Sequence, residues 1–294
     1  MVDAANPAYS YKLNPYVSAE DQGALQNSVV AFIDLLGFKE RVRYENNQGN
    51  SQIFFTEFRE TILKAFSTLN IDSSIARDWH DISGGLSDIK NRYEFRIFTD
   101  CILIGSPIKE ASEIGVSIQG LDEFYTVLNM LYFLQSQLVN RGFFVRGAIT
   151  VGEFYMDEKT IYGLAGIEAY EAESEQAKYP RIILTKQAET MFMEINKGFK
   201  DQRYPNYVTK HLWKDNDGLF FINYLESINI ADQPFLDVLE EHKNVIENKL
   251  RDYHDKPHIL EKYVWAANYH NYFCNHDKNI LYIIDLSQYQ MQPV

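Results

Sequence analysis

The chain has 294 residues, with 41 acidic against 28 basic side chains and a formal net charge of −13. This charge argues against a long nucleic acid as partner, because binding many phosphates needs a basic surface. Hydrophobic residues make up 46% of the chain, ample for a packed core. The sequence contains no run of about 18 apolar residues, so it predicts no membrane span. The N-terminal residues lack a secretory pattern and the two cysteines are isolated, which predicts a cytoplasmic protein with reduced thiols.

The first part of the chain predicts an arm followed by a strand and two helices. Residues 1–27 are polar and turn-rich, and we expect an arm rather than a core element. The apolar, β-branched run Ser28–Asp34 is typical of a buried strand. A short helix should end near Tyr44, and apolar residues at three- and four-residue steps predict an amphipathic helix over 51–69. Residues 72–91 predict a polar loop.

The middle of the chain predicts a hairpin, a long helix and a further strand. Apolar runs on both sides of Thr99-Asp100 indicate two hairpin strands, Tyr93–Phe98 and Ile102–Gly105. Leucines over 121–138 mark a helix that ends at an Asn-Arg-Gly signal, and Phe143–Val151 is the next strand. The elements predicted after it are a helix over 167–177, a strand over 181–184 and a helix over 186–195.

The pattern changes after about residue 200 and predicts a separate extension. We expect a hairpin turning at Asp215–Gly218, helices over 235–253 and 259–275, and a final strand over 279–285. The sequence therefore predicts an arm (1–27), a core (28–200) and an extension (201–294) packed on the core or dimerising it. Strands and helices alternate with hairpins included, which indicates an α+β fold with a mainly antiparallel sheet flanked by helices.

Two aspartates are the main candidates for chemistry. Asp34 ends the first predicted strand, and Asp100 lies at the tip of the hairpin. If the hairpin pairs beside that strand, the two carboxylates meet at one sheet edge, where they stay ionised only with cations between them. Divalent metals with oxygen ligands suit such a pair and suit phosphoryl transfer. Taken singly, each aspartate also fits a structural role, as a helix cap or a turn former.

The residues after Asp34 suggest an anion site. The backbone N–H groups of Leu36, Gly37 and Phe38 open a predicted helix, and a helix start favours phosphate. Gly37 has no side chain to block the approach of such a group. We therefore expect these three residues to bind part of a nucleotide.

Four segments together resemble the class III nucleotidyl cyclases, and most closely the bacterial pyrimidine cyclases of Pycsar antiphage defence. Phe32–Phe38 (FIDLLGF) resembles their first metal motif, and Phe98–Cys101 (FTDC) resembles the second. Arg141–Thr150 with Gly152 is similar to the strand and turn that follow. Tyr162–Ser174 with Ala177–Ile182 stands where such cyclases carry their substrate and transition-state motif.

The resemblance implies a ferredoxin-like, palm-type core and a two-metal reaction. Asp34, Asp100 and the Leu35 carbonyl would bind two Mn²⁺ or Mg²⁺ ions, and the ribose 3′-hydroxyl would attack the α-phosphate and release pyrophosphate. Two chains would pair head to tail with composite sites. The substrate would be UTP or CTP, and the cyclic UMP or cyclic CMP product would act on a separate cyclic-nucleotide-binding effector protein.

The chain departs from purine cyclases at four positions. Leu164 stands where those carry a base-reading Asp, and Ile167 and Glu171 stand where they carry a transition-state Asn and Arg. Arg96 occupies the place of their base-reading Lys, and a donor-only group there favours uracil, whose position 4 is an acceptor. The candidates for the missing positive charge are Arg146, Lys178 and Arg181.

Other functions stay open at this point. The losses at Ile167 and Glu171 also fit an inactive cyclase-like module that binds a nucleotide and regulates a partner. A purine cyclase with an unusual pocket and a plain dimerisation scaffold are further alternatives.

Overall fold

The computed structural model describes residues 14–17, 23–68, 92–109, 119–199, 210–229, 235–276 and 279–289. The strands are β1 Gln26–Leu35, β2 Glu94–Phe98, β3 Cys101–Pro107, β4 Val145–Met156, β5 Ile161–Tyr162, β6 Ile182–Leu184, β7 Leu212–Lys214 and β8 Phe220–Ile222. The helices are α1 Phe38–Asn47, α2 Ser51–Thr68, α3 Leu121–Asn140, α4 Leu164–Glu175, α5 Lys186–Phe199, α6 Phe235–Asp252 and α7 Pro257–His276. Short 3₁₀ turns span Tyr224–Asn229, Ile280–Tyr282 and Ser287–Tyr289.

One eight-stranded sheet organises these elements. Seven strands follow the order β2-β3-β1-β4-β6-β8-β7. The eighth, β5, forms a hairpin with the end of β4. The β4–β6 pair is parallel, and the other pairs are antiparallel. The prediction of an α+β fold with a mainly antiparallel sheet is therefore confirmed. Strands β7 and β8 of the C-terminal region continue the sheet of the core, because β8 pairs with β6.

Strand β1 places its side chains alternately on two different faces. Val29, Ala31 and Ile33 belong to the larger hydrophobic core, which includes the apolar side of α3. Val30 and Phe32 point to the other face and pack in a smaller cluster with two alanines of α4. Because successive strand residues alternate, Asp34 continues the row of Val30 and Phe32 onto the α4 face, at the end of the strand.

The sequence prediction of a final strand over 279–285 is wrong. The segment forms a 3₁₀ turn at Ile280–Tyr282 and then an extended stretch that pairs with no strand among the described residues. An asparagine side chain takes the place of that partner. Asn271 Nδ2 donates to the Ile284 carbonyl at 2.9 Å, and the Ile284 N–H donates to Asn271 Oδ1 at 2.7 Å. One side-chain amide thus satisfies the N–H and the carbonyl of Ile284, whose apolar neighbours had predicted a strand.

The N-terminal segment also differs from expectation where it is described. Tyr16 is 1% exposed, and its ring meets Phe154 edge-on at 5.8 Å, so this residue belongs to the core and not to a detached arm. The predicted loop over 72–91 lies outside the described residues. Within the described part of the chain, no helix is both long and apolar enough to cross a membrane.

A buried chain of hydrogen bonds joins the C-terminal elements. Tyr224 Oη lies 2.8 Å from His242 Nε2, His242 Nδ1 lies 2.8 Å from His270 Nδ1, and His270 Nε2 lies 2.9 Å from the Tyr282 carbonyl oxygen. The carbonyl only accepts, so His270 Nε2 carries the proton and His270 Nδ1 accepts from His242. His242 Nε2 then accepts from the tyrosine hydroxyl. With both imidazoles neutral, every hydrogen bond of this series has one donor and one acceptor.

We expect the buried pair His242 and His270 to make the folded protein less stable at acidic pH. Burial lowers the pKa of His242 well below its ordinary value, and burial lowers that of His270 from 6.5 to about 4. The unfolded protein then binds protons that the folded protein excludes, so stability falls as pH drops from the unfolded value towards the folded one. For His270 the loss is on the order of 3 kcal/mol. Urea unfolding at a series of pH values measures it.

His270→Gln should lower stability at neutral pH and flatten its decline below pH 6.5. His258→Gln, a change of an exposed imidazole, is the control and should keep the slope of the wild type. A wild-type midpoint that stays constant between neutral pH and pH 4 would contradict the expectation.

Candidate metal centre

The fold brings Asp34 and Asp100 together. Asp34 is the second-last residue of β1 and pairs in register with Cys101, the first residue of β3, while Asp100 occupies the tip of the β2–β3 hairpin. A carboxylate oxygen of each aspartate and the Cys101 sulfur all lie within 4.8 Å of one another. The hydrogen-bonded neighbours β1 and β3 therefore place two acids 66 positions apart in sequence at one end of the sheet.

The hairpin tip is tied to the end of β1. The Leu35 N–H donates to the Asp100 carbonyl at 2.9 Å. Thr99 adopts a φ of 50°, a region that β-branched residues rarely occupy, and its hydroxyl donates to Asp100 Oδ1 at 2.7 Å. Backbone strain of this kind concentrates at functional sites, where surrounding contacts hold it in place. Here the hydrogen bonds from Leu35 and Thr99 position Asp100 beside Asp34.

The electrostatics of the pair favour a cation. Burial raises the pKa of Asp34, the Arg146 guanidinium lowers it, and the Asp100 charge raises it again. Burial, followed by the charges of the two aspartates, raises the pKa of the Cys101 thiol to about 12. A divalent cation between the carboxylates would offset both the burial and the repulsion. Asp34 and Asp100 are hard oxygen ligands of the kind that Mg²⁺ and Mn²⁺ use, so these residues fit such an ion.

Arg146 connects this pair to a third acid. Its register partner on β1 is Asp34, and its Nε lies 3.3 Å from Asp34 Oδ2 and 2.5 Å from Glu173 Oε1. Glu173, near the end of α4, is 2% exposed. Burial raises the pKa of Glu173 to about 7, partly opposed by Arg146 and reinforced by Asp34. Within the described residues the two terminal NH₂ groups of Arg146 make no hydrogen bond, which leaves them for a ligand.

The predicted anion site at the start of α1 needs one correction. The Leu36 N–H donates to the Phe144 carbonyl at 2.8 Å, so it serves the β1–β4 pairing and does not face a phosphate. Gly37 is the N-cap of α1 with φ 74°, and an added Cβ there would meet nothing within 4 Å. The open approach expected at Gly37 is therefore present. Phe38 begins the helix, where the first N–H groups have no intrahelical acceptor.

Arg96 lies on the same face of the sheet as Asp34, further from the hairpin tip. It pairs in register with Leu103, which pairs with Phe32. Two strand spacings and two residues separate Arg96 and Asp34, or about 12 Å between Cα atoms. The Arg96 Nη1 contacts the Glu94 carboxylate and donates to the Phe95 carbonyl at 2.6 Å. An open cavity of about 430 Å³ borders it, lined by Asn14, Glu94, Arg96 and Glu158.

Arg181, predicted as a catalytic cation, occupies a structural position instead. Its side chain is fully buried and contacts the carboxylates of Asp215 and Asp217 in the β7–β8 turn. It also faces the Tyr179 ring, 5.4 Å from the ring centre. A guanidinium held by two carboxylates is already neutralised, which argues against a role at a developing phosphate charge. Lys178 is exposed just before it and makes no side-chain ion pair with any described residue.

Two other polar residues of the site gave no sequence signal. Glu173 lies in an Ala-Glu-Ser run that reads as an ordinary helix surface, and its burial follows from the packing of α4 on β1 and β4. Lys262 belongs to α7, more than 200 positions after Asp34, yet its charge lowers the pKa of both Asp34 and Glu173. Neither placement is readable without the tertiary structure.

No protein-family model and no curated protein matches this chain. Among solved structures, it is similar to the monomeric guanylyl cyclase domain of the RhoGC fusion protein from the aquatic fungus Blastocladiella emersonii. The identity is 12% and the TM-score 0.38, over 68% of this chain and 95% of that one. It is also similar to a class III adenylyl cyclase-like ATP-binding protein from Pseudomonas aeruginosa, with 14% identity and a TM-score of 0.36 over 57% and 35% of the two chains. Similarity at this level says nothing about activity.

We expect Mn²⁺ to stabilise the protein through Asp34. At a metal concentration 100 times the Kd, binding to the folded state adds about 2.7 kcal/mol and raises the melting temperature. Asp34→Asn keeps the shape and removes the charge, so it should abolish this increase without lowering the melting temperature in metal-free buffer. Thermal unfolding with and without Mn²⁺ measures both effects. Asp255→Asn, in an exposed turn, should respond to Mn²⁺ as the wild type does, and an unchanged response in Asp34→Asn would refute the assignment.

Proposed function

We propose that this protein is a nucleotidyl cyclase that converts a nucleoside triphosphate into a 3′,5′-cyclic monophosphate and pyrophosphate. The observation that carries the proposal is the meeting of Asp34 and Asp100 at one end of the sheet, with Arg146 beside them. Two carboxylates and a partly free guanidinium suit a substrate that brings both phosphates and metal ions. The four cyclase-like sequence segments agree with this interpretation.

In the proposed reaction the ribose 3′-oxygen forms a bond to the α-phosphorus, the bond from that phosphorus to the pyrophosphate oxygen breaks, and the 3′-hydroxyl proton passes to water. Two Mn²⁺ or Mg²⁺ ions would supply the positive charge that activates the hydroxyl and offsets the leaving pyrophosphate. Asp34, Asp100 and the Leu35 carbonyl would hold them. The free NH₂ groups of Arg146 and the backbone at Gly37 and Phe38 would orient the phosphates.

We further propose a pyrimidine substrate, with UTP ahead of CTP. Leu164 and Ile167 are 66% and 54% exposed on the outer side of α4, so neither supplies a polar group where purine cyclases read the base or stabilise the transition state. Arg96 is a donor beside an open cavity on the same face of the sheet as the aspartates. Donors suit the O2 and O4 acceptors of uracil, whereas cytosine presents a donor at position 4.

Two exposed apolar side chains on the part of α4 nearest this site support a homodimer with composite sites. Ile167 and Tyr170, one helical turn apart, are each 54% exposed. The Tyr170 ring also meets Phe32, two residues before Asp34, at 5.4 Å. Apolar patches rimmed by polar groups mark association surfaces. A second chain seated there would close the metal centre from the solvent side.

We also propose a role in cytoplasmic antiphage defence of the Pycsar kind, which the sequence resemblance implies. The cyclic UMP or cyclic CMP product would activate a separate cyclic-nucleotide-binding effector protein. A second candidate function is a nucleotide-binding regulatory module without turnover. It is favoured by Ile167 and Glu171, which leave α4 without a transition-state cation, and by the burial of Arg181 away from solvent.

The direct test is incubation with each of the four nucleoside triphosphates and Mn²⁺, followed by separation of the products. We expect cyclic UMP as the main product, cyclic CMP as a minor one, and a loss of roughly 100-fold or more in Asp34→Asn and Asp100→Asn, because metal binding supplies several kcal/mol of transition-state stabilisation. Asp255→Asn serves as the control. Cyclic AMP or cyclic GMP as the main product would refute the pyrimidine assignment. Binding without any product would favour the regulatory module.

The dimer has its own test. Ile167→Glu places a charge on the exposed apolar side of α4, so we expect a shift from dimer to monomer in light scattering and a fall in activity that higher protein concentration partly restores. Leu281→Glu alters an apolar side chain that is 87% exposed on the C-terminal segment, and it should stay dimeric and active. A fully active Ile167→Glu monomer would rule out a composite site.

A further inference from the structure

Helix α4 turns one acidic side chain towards the sheet. Its buried residues are Ala165, Ala169, Ala172 and Glu173. The three alanines let the helix lie close to β1 and β4, and two of them belong to the smaller hydrophobic cluster. The Glu173 side chain is only 3% exposed. A carboxylate enclosed in this way has to be matched by positive charge or by hydrogen-bond donors.

Arg146 is the cation beside Glu173, yet its Nε–H serves a different acid. Glu173 Oε1 lies 2.5 Å from Arg146 Nε. The Nε–H donates to Asp34 Oδ2 at 3.3 Å, and among the described residues Glu173 Oε1 accepts no hydrogen bond. Because 2.5 Å is close enough for a hydrogen bond, the direction of the N–H is what prevents one. An enclosed oxygen therefore lies next to a donor that points to another acceptor.

Asp34 is the acceptor that a cation would take away from Arg146. A donor–acceptor distance of 3.3 Å is long for a hydrogen bond between charged groups. The Asp34 side chain is 21% exposed, and its oxygen belongs with Asp100 to the cluster of possible metal ligands, which does not include Glu173 among the described residues. A divalent cation on Asp34 would also repel the guanidinium. The Nε–H then needs a new acceptor, and Glu173 Oε1 is already within reach.

We propose that Glu173 is a positioning residue, which takes over the Nε–H of Arg146 when a divalent cation binds Asp34. The two terminal NH₂ groups of Arg146 then stay directed at the phosphates of the nucleotide. Fixing one N–H of a planar guanidinium fixes the plane and therefore the directions of its other donors. This inference rests on the proposed cyclase function and names the residue that holds Arg146 during the reaction. Glu173 contacts neither the metal nor the substrate and acts through Arg146.

The first test needs neither metal nor nucleotide. Asp34→Asn removes the charge that attracts Arg146, as a bound cation would, and leaves the guanidinium to Glu173. In metal-free buffer Glu173→Gln alone should change the melting temperature little, because Arg146 keeps Asp34. In the Asp34→Asn background the same change should lower it by about 2–4 °C, because Arg146 loses its last carboxylate. Glu175→Gln, exposed on the same helix, is the control and should have no effect in either background. Equal shifts from Glu173→Gln in both backgrounds would overturn the proposal.

The second test measures binding of phosphates alone. Titration calorimetry uses inorganic tripolyphosphate at a Mn²⁺ concentration that saturates each variant. Arg146→Gln should weaken this binding by roughly 10- to 100-fold, because hydrogen bonds between charged groups are lost. Glu173→Gln should weaken it by roughly 3- to 10-fold, because Arg146 is present but less well directed. The double variant should match Arg146→Gln within about threefold. Two effects that multiply would mean that Glu173 acts independently of Arg146, against the proposal.

Steady-state kinetics separates this inference from the proposed function. Glu173→Gln should raise the KM for UTP in proportion to its loss of tripolyphosphate affinity. Glu173→Asp keeps the charge on a shorter side chain, should fall between Glu173→Gln and the wild type, and gives the same comparison if the glutamine variant does not fold. An active wild type with the same KM and tripolyphosphate affinity as both variants would refute the role of Glu173 alone. A wild type that binds neither tripolyphosphate nor any nucleoside triphosphate with Mn²⁺ would overturn the proposed function and this inference together.

Discussion

Repulsion between two half-buried carboxylates is the constraint on which the arrangement around Asp34 depends. Asp34 and Asp100 approach because β1 and β3 pair up to their ends and because the Leu35 N–H ties the hairpin tip to β1. Positive charge is then needed beside Asp34 and Asp100 to offset the repulsion between their carboxylates. Arg146 provides part of it from the neighbouring position on β4, but it shares its Nε with Glu173. The remaining deficit is the physical reason to expect divalent cations and an anionic substrate at this end of the sheet.

Much of the fold follows from local sequence patterns. The β2–β3 hairpin, the long helix α3 and the two C-terminal helices were predictable because their apolar periods are strong and their ends carry turn residues. Two sequence predictions were wrong because contacts with distant residues overrode the local pattern. Residues 279–285 resemble a strand, yet Asn271 supplies the hydrogen bonds that a neighbouring strand would give. Tyr16 lies in a polar segment, yet it fills a space beside Phe154 that only the folded sheet creates.

The candidate site was predictable to the extent that its residues belong to compact motifs. Asp34 and Asp100 follow apolar runs, and the pairing of adjacent strands brings them together. The sequence did not show that the Leu36 N–H is used by Phe144, or that Arg181 is held by two aspartates of the β7–β8 turn. Glu173 and Lys262 carry no motif at all. Their positions depend on how α4 and α7 pack on the sheet, and such packing is encoded in contacts between distant segments.

The pairing of β6 with β8 has a consequence for how the chain is divided. Strand β6 lies between β4 on one side and β8 on the other, so the last third of the sequence protects an edge that would otherwise present free N–H and C=O groups. An unprotected edge of this kind invites pairing with other chains and aggregation. The buried Arg181, next to β6, would also lose both of its carboxylate partners. A protein shortened after α5 is therefore not a minimal version of this molecule, because it would need another way to cover β6.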